Sequence, residues 1–222
     1  MQFTKKLFVF YIFVGAILTA SADAFNDFFA AARRDDESTI VQLVFRGFDL
    51  NTRDEHGNHA LLLAIREGSD KVANFLLDQP LVQVEARNAA GESPLMLAVL
   101  KGRVGLVQRL IARKAEVNKP GWAPLHYAAT NADPVGVELI RLLLDHHAYI
   151  DAESPNKTTP LMMAARYGSP QGVQLLLEEG ADPTLKNEQG LTALDFAVQA
   201  ERKDAAALIN TALRARLPSG TW

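Results

Sequence analysis

The sequence predicts an all-α solenoid of about six helix-turn-helix units, and three observations predict it. First, short segments closing on a loop recur with one period. Phe48-Asp49-Leu50-Asn51, Val82-Gln83-Val84-Glu85, Ala115-Glu116-Val117-Asn118, Ala148-Tyr149-Ile150-Asp151 and Ala181-Asp182-Pro183-Thr184 end at 51, 85, 118, 151 and 184, in steps of 34, 33, 33 and 33. Second, a ladder runs through Phe28, Leu61, Leu95, Leu125, Leu161 and Leu194, and three positions after each comes Ala31, Ala64, Ala98, Ala128, Ala164 or Ala197. Third, the rungs carry helix signals. A fixed period of 20–50 residues marks a solenoid, in which each unit buries its apolar face only against its neighbours.

The elements follow in chain order. Lys5 and Lys6 precede an almost unbroken apolar run from Leu7 to Ala20, which closes on Ala20-Ser21-Ala22 and Ala22-Asp23-Ala24. A spanning helix needs roughly 20 residues, so the run is too short to cross a bilayer and reads as a removable signal peptide over residues 1–24, cut after Ala22 or Ala24. The repeat region is expected over 25–213, in units of about 25–53, 54–87, 88–119, 120–153, 154–186 and 187–213. A polar tail follows at 214–222. The fifth unit shows the logic best. Thr159 caps a first helix, and Pro160 sits at its first position, where a missing N–H costs nothing. Leu161 points inward, and Ala164 and Ala165 keep one face thin. Gly168, with Gly68 and Gly102 in the same slot, is expected to supply a left-handed residue that ends the helix. A leucine-rich second helix comes next (Phe75-Leu76-Leu77, Leu110-Ile111, Leu142-Leu143-Leu144, Leu175-Leu176-Leu177), and Gly47 and Gly180 close two of these. The end units lack parts of the pattern and read as polar caps.

One unit is irregular. Asn118 to Leu125 is 7 residues where the other units have 10, so the turn Lys119-Pro120-Gly121-Trp122 is shortened by three. Asn131-Ala132-Asp133-Pro134 restores the length inside the unit. The functional expectation is a surface reshaped around Trp122.

Ala123-Pro124-Leu125-His126-Tyr127-Ala128 and Thr159-Pro160-Leu161-Met162-Met163-Ala164, at a 33-residue period, resemble the T-P-L-H-x-A pattern of the ankyrin-repeat family. Ser93-Pro94-Leu95-Met96-Leu97-Ala98 and Thr192-Ala193-Leu194 are looser copies, and His59-Ala60-Leu61 is degenerate. A turn glycine stands at Gly57, Gly91, Gly121 and Gly190, with Lys157 in its place in the fifth unit. The resemblance implies an ankyrin-repeat solenoid with short β-turn fingers, and it implies that His126 is a structural, hydrogen-bonding histidine.

Composition and motifs exclude several activities. With no cysteine, disulfides, thiolate metal sites and Cys nucleophiles are absent. A net charge of -3, without a clustered basic face, argues against nucleic-acid binding. No zinc-protease, nucleophile-elbow, P-loop or dinucleotide motif occurs. His146-His147 has no partner at ligand spacing and reads as a solvated turn. Glu178-Glu179 and Asp35-Asp36-Glu37 read as solvated helix ends. No enzyme, cofactor or metal is expected. A small metal-dependent hydrolase using His146 and His147 is the remote alternative. Asn156-Lys157-Thr158 forms a glycosylation sequon that matters only in a eukaryotic secretory pathway. The lysine-led signal and the lack of cysteine point instead to the bacterial periplasm, with full secretion to engage host proteins as the alternative.

In the family the resemblance suggests, partners dock on the concave side, formed by turn tips and exposed positions of first helices. Carried over by position, the implied binding residues are Trp122, Arg166, Tyr167, Leu100, Lys101, Arg66, Glu67 and His56. Trp, Tyr and Arg are the types most enriched at binding hot spots. The expectation is a monomer that binds another exported protein, with neither nucleic acid nor, once the signal is removed, membrane as partner.

Overall fold

The computed structural model describes residues 22–216. The expected signal segment lies outside the described residues except for its last three, and the expected tail lies outside them except for its first three. Among the described residues there are twelve helices. The first, α1, covers residues 22–34. It is followed by α2 (Glu37–Phe45), α3 (Ala60–Glu67), α4 (Asp70–Asp78), α5 (Pro94–Leu100) and α6 (Val104–Ala112). Then come α7 (Pro124–Thr130), α8 (Pro134–Asp145), α9 (Pro160–Tyr167), α10 (Pro170–Glu178), α11 (Ala193–Gln199) and α12 (Lys203–Ala215). Helix α12 thus continues two residues beyond the expected end of the repeat region. The only pairing of strand type described is one isolated antiparallel bridge, Arg53 to His59. The chain divides into two compact bodies, one ending at Pro94 and the other beginning at Leu95.

In the N-terminal body, α1 buries Phe28, Phe29, Ala31 and Ala32, a helical spacing that gives it one apolar stripe. Phe28 packs against Phe48 at 4.6 Å between ring centroids, and Phe25 meets Phe29 edge-on at 4.8 Å. Asp36 caps α2 by accepting from the Thr39 amide at 3.1 Å. The Thr39 and Ser38 hydroxyls also donate to it, and these bonds hold its carboxyl down at about 2. Helices α2 and α3 both pack on α4, where Leu76 and Val72 are fully buried.

In the C-terminal body the first helices form one row and the second helices another. Helix α9 packs between α7 and α11, and α10 packs between α8 and α12. Ala128, Ala164, Ala165 and Ala197 are buried, so the first helices meet across small side chains. Leu139, Ile140 and Leu143 of α8 and Leu176 of α10 fill the space behind them.

The link between the two helices of a repeat takes two forms. In the first, a left-handed residue ends the first helix: Gly68 at φ +79° and Gly102 at φ +67°, with Asp35 (φ 58°) and Glu201 (φ 55°) in the same slot of the end repeats. Gly168 does not do this, contrary to the sequence expectation. It is extended, at φ -77° and ψ -175°. The link beyond it is extended as well, because Ser169, the residue before Pro170, is pushed out of the helical region. Ser169 accordingly sits at φ -83°, ψ 154°, and Asp133, before Pro134, adopts φ -76°, ψ 161°. Gly168 is needed for space instead, since a Cβ there would run into the carbonyl oxygen of Ala129.

Successive loops are tied by a recurring side chain. Asn51 donates from Nδ2 to the Leu81 carbonyl and accepts from the Gln83 amide, both at 2.9 Å. Asn118 makes the same pair with His147 (2.7 Å) and Tyr149 (2.8 Å). In the next repeat the residue is Asp151, which accepts from the Asp182 amide at 3.1 Å and, when ionised, has no proton to donate. Partial burial and then the nearby Asp182 charge raise its carboxyl above the usual range, against the Asp182 amide bond and the Arg216 charge. A raised carboxylate pKa means that stability is gained on acidification through that pKa and lost again as pH rises above it. Asp151→Asn restores the missing donor and removes the charge. It should stabilise the chain by about 1 kcal/mol at pH 7 and by less near pH 4, as measured by urea melts at the two pH values.

Candidate protein-binding surface

The fingers are built from their own sequence. In each, a backbone bond from the fourth residue back to the first is closed by a second bond: Gly57 N to Asp54 O with Asp54 N to Asn58 O, and likewise for Asn88–Glu92, Ser154–Thr158 and Asn187–Leu191. The first side chain secures the turn, as when Asp54 Oδ1 accepts from the amides of His56 (3.0 Å) and Asn58 (2.8 Å). These bonds lower the Asp54 carboxyl, although burial alone would raise it. Neighbouring fingers are linked by one backbone bond each, Ala89 N to His56 O at 3.1 Å and Glu188 N to Asn156 O at 3.0 Å. The fourth position needs a left-handed residue, which Gly57, Gly91 and Gly190 supply at φ +74°, +75° and +74°. Lys157 takes the same conformation at φ 59° with a side chain. Lys157→Gly should therefore stabilise the chain by about 0.5–1 kcal/mol, read as an upward shift of the thermal midpoint.

In the N-terminal body the site residues are already partly engaged. Arg66, at the end of α3, donates to Glu92 Oε2 at 2.6 Å. Glu92 also accepts from Asn88, which in turn donates to Asn58, so a polar chain runs from Arg66 through to Asp54. His56 is exposed at the finger tip with Glu55 at 3.5 Å, and Glu67 is exposed at the end of α3. His59 is buried, and its Nε2 lies 3.0 Å from the Ala86 carbonyl.

The C-terminal body holds the other five. Leu100 and Lys101 are exposed at the end of α5, and Arg166 and Tyr167 at the end of α9. The Arg166 guanidinium lies 5.4 Å from the centre of the Tyr167 ring. Trp122 is half-buried, its indole meeting the ring of His126 edge-on at 5.3 Å, so only part of it faces outward. Beneath it, His126 is fully buried. Its Nδ1 accepts from the Ala123 amide at 3.1 Å, so Nε2 carries the proton and donates to the Thr158 carbonyl at 2.9 Å. Burial lowers the imidazole pKa, keeping the ring neutral despite the bond to the Thr158 carbonyl.

Arg202 belongs to this surface and was not legible in the sequence. Its guanidinium donates to the carbonyls of Arg166 (3.3 Å) and Gly168, satisfying the open end of α9 from a distance of more than thirty residues. Lys119, in the shortened turn, places Nζ 3.3 Å from Met96 Sδ.

Among the described residues no group of three or more His, Asp or Glu is arranged to hold a metal, and no helix is long and apolar enough to cross a membrane. His146 and His147 lie on an exposed turn after α8.

The chain is 35% identical over 159 residues to the nuclear factor NF-kappa-B p105 subunit of Mus musculus, covering 67% of this chain and 16% of that protein. It is 30% identical over 168 residues to the transient receptor potential cation channel subfamily A member 1 of Homo sapiens, covering 71% and 15%. It thus spans about a sixth of the length of these relatives. Among solved structures, it is similar to a chain in the complex of a predatory endopeptidase from Bdellovibrio bacteriovorus with an immunity protein. There the TM-score is 0.73 and the identity 30%, covering 83% of this chain and 97% of that one. An ankyrin repeat domain from Acinetobacter baumannii gives a TM-score of 0.72 at 26% identity, covering 83% and 96%. The family described as Ankyrin repeats (3 copies) matches residues 28–121, 79–154, 105–187 and 125–212. With its register of paired helices, thin alanine faces and linked fingers, the chain belongs to the ankyrin-repeat family, whose members serve as protein–protein interaction modules.

Proposed function

We propose that this chain is an exported, non-catalytic module that binds another periplasmic or secreted protein through the finger and first-helix face of its C-terminal body. The observation that carries the reading is the exposure of Leu100, Lys101, Arg166 and Tyr167 at the ends of first helices whose inner faces are fully committed to packing. A rigid, hydrogen-bonded platform of this kind loses little ordering entropy on association. Export rests on the lysine-led apolar start of the sequence. The likeness to a chain in an endopeptidase–immunity protein complex favours a peptidase as the partner class, with this chain holding it in check.

The test is a photo-crosslinking amino acid placed at position 167 and, in a second chain, at Gln174 on the exposed side of α10, in intact cells. The expected result is a discrete adduct from position 167 only, in the periplasmic fraction, on a chain that begins at Asp23 or Phe25. Adducts from 174 alone would move the binding face to the second helices, and recovery from the cytoplasm would refute export.

A further inference from the structure

The same position of the repeat carries an arginine twice. Arg66 stands five residues after Leu61, and Arg166 stands five after Leu161. In the N-terminal body the next finger supplies Glu92, three residues before Leu95, and this carboxylate takes the Arg66 guanidinium at 2.6 Å. The residue in that register for Arg166, three before Leu194, is Leu191. Leucine can accept nothing. Among the described residues Arg166 pairs with no carboxylate, and its guanidinium is placed by the Tyr167 ring instead. Tyr167 is 49% exposed. Arg202, which fixes the end of α9, brings a second cation to the same point, also without a carboxylate partner among the described residues. The end of α9 therefore presents the Arg166 cation beside an open aromatic ring, with Arg202 committed to the helix-end carbonyls and adding its positive field. The protein itself shows, at Arg66, what this slot does when a carboxylate is offered.

We infer that the α9 end, formed by Arg166, Tyr167 and Arg202, receives an aspartate or glutamate side chain of a protein partner, with an apolar neighbour of that residue lying on the Tyr167 ring. A guanidinium held by an aromatic face is preoriented for a charge-assisted bond to carboxylate, and the bond gains strength as the partner excludes water. This inference rests on the binding function proposed above and names the chemistry its partner must show there.

The test uses the full mature chain and two acetylated, amidated pentapeptides, Gly-Leu-Glu-Leu-Gly and its counterpart with Gln at the centre. Arginine side-chain NMR follows Arg166 Nε–H during titration. The glutamate peptide should shift this resonance and the glutamine peptide should not, and the response should fade with added salt. Arg166→Gln should weaken binding about tenfold or more, the loss expected for one charge-assisted bond. Leu191→Glu supplies an internal carboxylate in the register of Glu92 and should block the site equally. Leu191 is only half-buried, so circular dichroism of this variant should remain native. Equal response to both peptides, no response to either, or full binding by a folded Leu191→Glu chain would overturn the inference. Crosslinking from position 167 separates this from the broader proposal. If the adduct persists undiminished in Arg166→Gln and Leu191→Glu, the binding face stands and the carboxylate assignment falls. If the chain carrying the crosslinker at 167 and no other substitution gives no adduct, the binding face itself falls.

Discussion

Leu143→Ala should destabilise the chain by about 2–5 kcal/mol, the range for truncating a buried leucine. Leu143 has no exposed surface and lies on α8, which packs against α6, α7 and α10. Removing its branched end takes contacts from all sides at once and leaves a cavity that three helices would have to move to close. The site is also poorly placed for relaxation, because α7 is held through His126 to the following finger. Urea unfolding followed by far-ultraviolet circular dichroism should show the midpoint fall with little change in slope. A marked drop in slope would indicate instead that the repeats on either side had stopped unfolding together, which is the other consequence expected when a repeat coupled only to its neighbours is weakened. An unchanged midpoint would mean that Leu143 is not in the core.

His126→Ala should cost about 2–4 kcal/mol through a different mechanism, the stranding of buried polar groups. Without the ring, the Ala123 amide and the Thr158 carbonyl both lose their partners inside the fold, and Trp122 loses the edge it packs against. This residue also governs part of the acid sensitivity. Its pKa is lowered in the folded chain, so folding favours the neutral ring. The stabilisation is complete above the unfolded value of 6.5 and is lost as pH falls below it, because the unfolded chain then takes up a proton that the folded one refuses. Buried His59 adds to the same slope for the same reason, burial. Stability measured between pH 7.5 and 5 should fall for the natural sequence and fall less steeply for His126→Ala. Parallel slopes would show that the ring is protonated within the fold.

Most of the fold could be read from the sequence because the repeat states it several times. The Leu and Ala ladders fix which face of each first helix is thin, and Thr159-Pro160 marks where one begins. The structural role of His126 followed from its place in the motif. Gly168 departs from the left-handed terminator its place in the repeat suggests: it is extended, Pro170 extends Ser169 after it, and the glycine serves close approach to Ala129. The binding surface was less legible, since exposure depends on partners far apart in sequence. Local sequence does not distinguish Arg66 from Arg166, yet Glu92, 26 residues away, holds the first. By sequence Trp122 is an open anchor, yet it is half-buried and its indole meets the His126 ring edge-on. Arg202 gave no signal, because nothing local shows that a guanidinium in the sixth repeat will close a helix in the fifth.

The central claim, that the finger and first-helix face of the C-terminal body is the docking platform, is tested most directly by amide hydrogen exchange on the chain, free and bound to the partner recovered by crosslinking. Slowed exchange is expected in the fingers at 154–158 and 187–191, the turn at 119–122 and the ends of α7 and α9, with α8 and α10 unchanged. Protection confined to α8, α10 and α12 would contradict the account.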